Sequence, residues 1–484
     1  MPSGRKVKLL FFLSIAVCLM LFVQQDQSNR NGPTKFIDAQ RINRRTLSKD
    51  RIKSYRANNT GMNQANSDVV ESEDAANYLA KLRTTTDYYS AIKEPKINSS
   101  KDIDCSKLME GDMKERVRVT EFLDTDAGQY KVISPRDYIA MTADCDHFIK
   151  TRRYIMDPTE EELAFPLAFS IRMHFSVEQA ERLLRAIYRP HNRYCIHVDQ
   201  KSPELVHAAM SAIASCLPNV KLATRMVYYD YATYSPVEVD LICMRDLIKS
   251  PVKWKYLLTM AGTEFPLQTN QEMVQVLRFL NGTNDIEQYE FFEHYHDRFK
   301  YVWKQRGNYI QKTSTVKQPF PGVELRKGCS YNSYSRAFVQ WVLTDKLARA
   351  FIDWSNDTAS PDETVWATLN NLEEAPGGYH VWVSQNAKTF LSREVIWHHS
   401  PAYCHGTYVH EICMLSFREL PWLNGRWEFF ANKFDLERDY VGYACLEEKL
   451  RDKVKRGKTE VAWYRIKEMP HVQYAMQRNN QIGG

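Results

Sequence analysis

Residues 165–199 read FPLAFSIRMHFSVEQAERLLRAIYRPHNRYCIHVD, and the fold class is decided there. Residues 165–174 are a short, largely apolar run of the kind buried on both faces of a sheet. Residues 176–188 follow with apolar side chains at Ala180, Leu183, Leu184 and Ile187, the spacing of one helical face. Arg189-Pro190-His191-Asn192 reads as a turn, and residues 193–198 as a second strand ending at Asp199. The alternation continues with a helix over 203–216, a strand over 220–223, a helix over 237–248 and a strand over 256–260, which runs into Ala261-Gly262-Thr263-Glu264-Phe265-Pro266. Such alternation predicts an α/β fold with a mostly parallel sheet covered by helices on both faces. Ligands of these sheets sit at the carboxyl ends of the strands, where His174, Asp199 and Glu264 are expected.

Toward the N-terminus the character changes. Arg5, Lys6 and Lys8 precede an apolar run over residues 9–23, roughly 22 Å long as a helix. No small-x-small cleavage site follows, so an uncleaved signal anchor is expected, with residues 1–8 as a cytoplasmic tail. A cleaved signal peptide is the alternative. Residues 24–104, rich in Gln, Asn, Ser, Lys, Arg and Asp, read as a stem with at most a short helix near 75–82. Residues 105–470 then form the lumenal domain, and 471–484 a C-terminal tail. Ten cysteines, nine of them beyond the apolar run, suit an oxidising compartment. N-x-S/T sequons at Asn58, Asn98, Asn281 and Asn356 agree with it. The net charge of +6 is spread without a dense basic block, which argues against nucleic acid and is compatible with a small anionic substrate.

Chemistry is carried by single residues rather than by a long motif. Ser360-Pro361-Asp362-Glu363 reads as a capping box, with Ser360 as N-cap and Glu363 at the third helical position. A carboxylate on so rigid a turn is also well placed to act as a general base. Asp124-Thr125-Asp126 and Asp144-Cys145-Asp146 lie before the predicted sheet, and His294-Tyr295-His296 and His398-His399 lack the spacing of a closed zinc site. No metal is expected from them. Asp199 suits either a ribose or base contact or an ordinary strand-exit turn. Lys433, in Phe429-Phe430-Ala431-Asn432-Lys433-Phe434-Asp435, is a cation in apolar surroundings. It suits a phosphate counter-charge or a pair with Asp435.

Several blocks together carry a resemblance: residues 165–171 (FPLAFSI), 182–188 (RLLRAIY), 194–199 (YCIHVD), 213–216 (IASC), 254–256 (WKY), 360–368 (SPDETVWAT) and 430–435 (FANKFD). Over about residues 105–450 the chain resembles the core 2 and I-branching β-1,6-N-acetylglucosaminyltransferases. The resemblance implies a GT-A-like, Rossmann-like fold behind a type II Golgi anchor, working on a UDP-sugar without a metal cofactor. The implied reaction is inverting transfer of a sugar, GlcNAc or alternatively glucose, to the 6-hydroxyl of GalNAc in Galβ1-3GalNAc O-glycans on glycoproteins. Glu363 matches the catalytic base. Glu287 and Arg298 match acceptor-holding positions. Arg172, Met173, His174, Asp199, Gln200, Lys201 and Tyr231 match the nucleotide-sugar side.

Lys433 matches one of two cations that neutralise the departing diphosphate. The other is an Arg in the family pattern and His410 here, so activity is expected to fall as pH rises through the His410 titration. Further departures fall on the donor side, at Arg172, Ala261 and Glu264. The family framework implies disulfides Cys105–Cys445, Cys145–Cys216, Cys195–Cys243 and Cys404–Cys413. It leaves Cys18 in the anchor and Cys329 buried and free, or bridging a homodimer. The rival readings are a peptide O-xylosyltransferase-like enzyme and an inactive lumenal glycan-binding protein.

Overall fold

Every residue of β1 (Leu167–Met173) is buried, which explains why its sequence shows an apolar run rather than an alternation. In the computed structural model, which describes residues 103–291, 293–307, 309–380 and 390–482, β1 lies at the centre of a five-stranded sheet. Its parallel neighbours are β2 (Arg193–Val198), with Ala168 opposite Arg193, and β4 (Tyr256–Ala261), with Leu167 opposite Tyr256. β3 (Val220–Leu222) extends the sheet beyond β2 in parallel.

β5 (Glu264–Pro266) follows β4 at once and enters a second sheet. Next in the chain come β6 (Tyr289–Glu290), a β7–β8 hairpin (Tyr301–Arg306 and Tyr309–Val316), and β9 (Arg326–Lys327), which pairs with β6. β10 (Ser333–Ser335) is the antiparallel edge of the main sheet, giving the order β10-β4-β1-β2-β3. β11 (Arg393–Val395) and β14 (Phe430–Asn432) complete the second sheet, with β14 central, parallel to β11 and antiparallel to β5. Between them, β12 (Tyr408–Val409) and β13 (Ile412–Cys413) form a short hairpin. The predicted parallel-rich α/β architecture is present.

The helix Val177–Ile187 departs from an amphipathic surface helix. Its Ser176 cap accepts a hydrogen bond from the Gln179 amide, and its apolar face joins the main core. Its charged face is buried too. Arg182 and Arg185 each reach Glu447 at 2.6 Å, and Glu181 pairs with Arg152. Glu447 belongs to the helix Tyr440–Arg456, which the Cys105–Cys445 disulfide also fastens. The other three expected disulfides are formed as well, and Cys329 is unpaired among the described residues and half-buried.

Within the described residues, 471–482 are not a tail. The helix Pro470–Ile482 buries His471, Val472 and Ala475, and His471 Nε2 lies 2.8 Å from Asp285 Oδ1. Neither D-x-D sequence reaches the sheet: Asp124 ends the helix Met113–Leu123, and Asp144 caps Cys145–Arg152. Asn281 and Asn356 are exposed, whereas Asn58 and Asn98, the anchor, Cys18 and the stem up to residue 102 lie outside the described residues. Among the described residues, no helix is long and apolar enough to cross a membrane.

Candidate active site

The Ser360–Glu363 segment folds otherwise than a capping box. Ser360 is left-handed at φ 48°, makes no side-chain cap, and donates its amide to the Ala232 carbonyl at 2.8 Å. Pro361–Glu363 is a 3-10 turn, and the helix proper, Val365–Asn370, begins two residues after Glu363. The reason lies in what the Glu363 carboxylate binds instead. Arg298 Nη1 donates to Glu363 Oε2, and Lys327 Nζ sits 3.2 Å from the same oxygen. Helix capping and the site chemistry compete for one side chain here, and the two cations win.

Arg298 comes from the short helix Asp297–Lys300, and its carbonyl accepts a hydrogen bond from Ala359, one residue before Ser360. Lys327 comes from β9 and was not anticipated from the sequence. The backbone fixes it in register with Glu363. The Gly328 amide donates to the Glu363 carbonyl at 2.7 Å, and the Arg326 amide donates to Thr368 Oγ1 at 2.9 Å. A Cβ at Gly328 would lie 2.2 Å from the Glu287 carbonyl oxygen, so only glycine allows this approach. That tight Lys-Gly pair was the available signal, and no motif points to it.

Burial works to raise the Glu363 carboxyl, but the charges of Lys327 and then Arg298 outweigh it and hold it below the ordinary carboxylate value. Asp362 goes the other way, raised by burial and by the Glu363 charge, while Ser330 Oγ donates to Asp362 Oδ2. Glu287 is half-buried and acts electrostatically on Lys327. The structure therefore brings the predicted acceptor residues Glu287, Arg298 and Glu363 together, with Lys327 among them.

Among the residues expected on the donor side, Tyr231 stacks on His410 with ring centroids 4.7 Å apart, and its hydroxyl is within electrostatic range of Glu363, Arg298 and Glu411. Tyr231 thus joins the two halves of the site. His410 and Glu411, both left-handed, form the turn between β12 and β13. Burial, and then the charge of Lys433, hold the His410 imidazole below its ordinary value. Burial alone brings Lys433 down to about 8. Among the described residues Lys433 has no ion-pair partner, so the alternative pairing with Asp435 is not made; Asp435 pairs with Arg438.

Asp199, fully buried at the end of β2, accepts from the Lys201 and Tyr229 amides at 3.1 and 3.2 Å and holds His174 Nδ1 at 2.8 Å. The Lys201 ammonium binds Asp230 at 2.6 Å, and the Gln200 amide donates to the Val227 carbonyl. A cleft of about 780 Å³ opens beside Gln200, lined also by Met226, Val227 and Asp230.

Arg172 and Glu264, expected on the donor side, are committed elsewhere. The Arg172 guanidinium is buried, 2.5 Å from Asp240 and 4.7 Å from the Tyr331 ring centroid, so its side chain is not available to a donor. Met173, next to it in β1, is buried as well. Glu264 opens β5 rather than lying free after β4, and Arg393 grips its carboxylate with two nitrogens at 3.1 and 3.2 Å.

The fold and site define an α/β protein whose half-buried Glu363 carboxylate is paired with Arg298 and Lys327, near a lysine and a histidine, Lys433 and His410, whose charges burial disfavours. Residues 167–424 match the family described as Core-2/I-Branching enzyme. The human beta-1,3-galactosyl-O-glycosyl-glycoprotein beta-1,6-N-acetylglucosaminyltransferase is 38% identical over 372 residues, 74% of this chain and 86% of that protein. The Bos taurus enzyme of the same name, numbered 3, is 40% identical over 376 residues, 75% and 85% of the two chains. A Bovine herpesvirus 4 protein of that name is 38% identical over 384 residues, again 75% and 85%. The chain belongs to the core 2/I-branching enzyme family.

Proposed function

We propose that this chain is an inverting glycosyltransferase of the Golgi lumen, with a GT-A-like fold. It transfers GlcNAc from UDP-GlcNAc to the 6-hydroxyl of GalNAc in Galβ1-3GalNAc O-glycans. The observation that carries this reading is the Glu363 carboxylate, kept ionised beside Arg298 and Lys327 and linked through Tyr231 to His410 and Lys433. The names of the relatives supply the sugar and the linkage.

In the proposed reaction Glu363 takes the proton of the acceptor 6-hydroxyl as that oxygen attacks the anomeric carbon. The bond from that carbon to the UDP oxygen breaks on the opposite face, so an α-linked donor gives a β-linked product. Arg298 and Glu287 hold the acceptor sugar. The departing diphosphate takes its counter-charge from Lys433 and His410, both preformed and partly desolvated, and needs no metal ion for it. His410 is the weaker partner before the donor arrives, because its proton is disfavoured there. A bound diphosphate reverses that preference.

The test uses the full chain in detergent-solubilised membranes of a secretory host, with Galβ1-3GalNAc and UDP-GlcNAc, EDTA present throughout, and UDP-glucose in a parallel arm. Transfer from UDP-GlcNAc that resists EDTA and disappears in Glu363→Gln is expected. Transfer from UDP-glucose alone would move the donor assignment. Transfer from neither donor by a chain that still binds UDP would favour a glycan-binding protein.

A further inference from the structure

Two cations meet the Glu363 carboxylate, and both meet it on one oxygen. Arg298 Nη1 donates to Oε2, and Lys327 Nζ lies 3.2 Å from Oε2. Among the described residues no hydrogen bond reaches Oε1. Lys327 is itself buried, at 9% side-chain exposure, and Gly328 accepts a second bond from its ammonium at 2.8 Å. The Tyr289 and Tyr295 ring centroids lie 5.5 and 6.0 Å from that ammonium, and Arg298 stacks on Tyr295 at 4.4 Å. A lysine placed in such surroundings has little freedom to swing away. β9 holds it there through the two backbone contacts to the Glu363 segment already described.

We infer that Lys327 is a positioning residue of the proposed reaction: it fixes Oε2 of Glu363 so that Oε1 alone is presented to the acceptor hydroxyl. The inference rests on the functional reading above and adds a residue and a division of labour that the reading does not contain. A carboxylate has two equivalent oxygens, and a base that can rotate about its last torsion offers its lone pair in many directions. Pinning one oxygen with two donors from separate elements removes that rotation. It contributes through orientation, as near-attack geometry requires. Arg298 alone would leave a hinge about a single contact, and Lys327 closes it from β9.

The same arrangement governs protonation. The groups facing Glu363 are Lys327 from β9, Arg298 from its short helix, Tyr289 from β6, Tyr231 from the loop that precedes the helix Ser235–Ile248, and Asp362 beside it in the chain. Of these only Lys327 and Arg298 are cations. Removing one of them raises the carboxyl, and the base then begins to protonate at a higher pH.

The test compares wild type, Lys327→Met, Lys327→Gln and Lys327→Arg as full chains, reading kcat/KM for the acceptor against pH and the KM for UDP-GlcNAc. The Met and Gln variants are expected to lose at least about tenfold in acceptor kcat/KM. Their acidic limb should move up by about one pH unit or more. Lys327→Arg should leave the limb in place, and the donor KM should not change in any variant. An acidic limb that superimposes on wild type in the neutral variants overturns the inference, because a merely structural lysine predicts loss without that shift.

Infrared titration of the Glu363 carboxyl, isolated by subtraction of Glu363→Gln, supplies a readout that needs no turnover. In wild type it should titrate below the ordinary glutamate value, and a titration at or above that value would also overturn the inference, whether or not the neutral variants fold. Absence of transfer by wild type, with the infrared titration lowered as expected, would fault the functional reading and leave the positioning of Glu363 standing.

Discussion

The two halves of the site are built on opposite electrostatic plans. On the side proposed to hold the acceptor the charges are balanced before any substrate arrives: Glu363 and Glu287 face Arg298 and Lys327. On the donor side Lys433 and His410 share a partly buried place, and burial disfavours the charge of each. In the proposed reaction the protein thus completes the base by itself and leaves the leaving-group site for the donor to complete. The difference teaches where binding energy goes. Acceptor binding meets a finished arrangement, whereas donor binding relieves an electrostatic deficit, which grows as the diphosphate gains charge in the transition state.

The contrast can be broken most directly at the base. Glu363→Gln is expected to lower kcat by about 10²–10⁴-fold while UDP affinity, measured by calorimetry, stays within a factor of two or so of wild type. A large loss of UDP affinity would mean the two halves are not separate. Next in size, Lys433→Met should lower transfer by about 10²–10³-fold and weaken UDP as well. A fall in acceptor affinity alone would reverse the assignment.

A subtler test is the pH dependence of UDP binding. Lys433 titrates near 8 in the free protein, and a bound diphosphate raises that value. Below about 8 the ammonium is already charged and affinity is flat in this respect. Above it, binding must take up a proton, so affinity falls as pH rises. His410, held below its ordinary value in the free protein and charged more readily beside a diphosphate, adds affinity as pH falls from its bound-state to its free-state titration, and His410→Arg should abolish that second rise. Calorimetry in buffers of different ionisation enthalpy would show the proton uptake. Unchanged curves in His410→Arg would remove His410 from the donor site.

The smallest effect concerns Ser360. Because it makes no cap, Ser360→Ala should change the unfolding free energy by less than about 0.5 kcal/mol, whereas a true N-cap would lose about 1 kcal/mol. Chemical denaturation distinguishes the two.

The fold was legible because β1, β2 and β4 are buried on both faces and announce themselves as apolar runs separated by helical periods. The charged face of Val177–Ile187 was not, since its covering helix lies some 260 residues downstream and no local pattern signals Glu447. The pairing of the cysteines likewise came from family resemblance alone. Within the site, Glu363 and Lys433 stand in recognisable segments. Lys327 lies in an unremarkable Arg-Lys-Gly sequence, and its meaning arises only when β9 docks beside residue 363. Arg172 shows the converse error: a residue at the right strand end whose side chain is consumed by Asp240, a partner contributed by another helix. Local sequence identifies strand ends, while ion-pair partners are assigned by tertiary packing.

The disulfide between Cys105 and Cys445 joins residues 340 apart. Chain elongation at about 5–20 residues per second puts roughly 20–70 seconds between the appearance of the first sulfur and that of its mate. For all of that interval the first cysteine of the domain is available to any of the intervening cysteines or to a passing oxidoreductase. In the proposed lumenal location, nascent chains of this protein should therefore be found as mixed disulfides while translation continues, and closure of the domain should become a post-synthetic event controlled by that compartment's oxidative machinery.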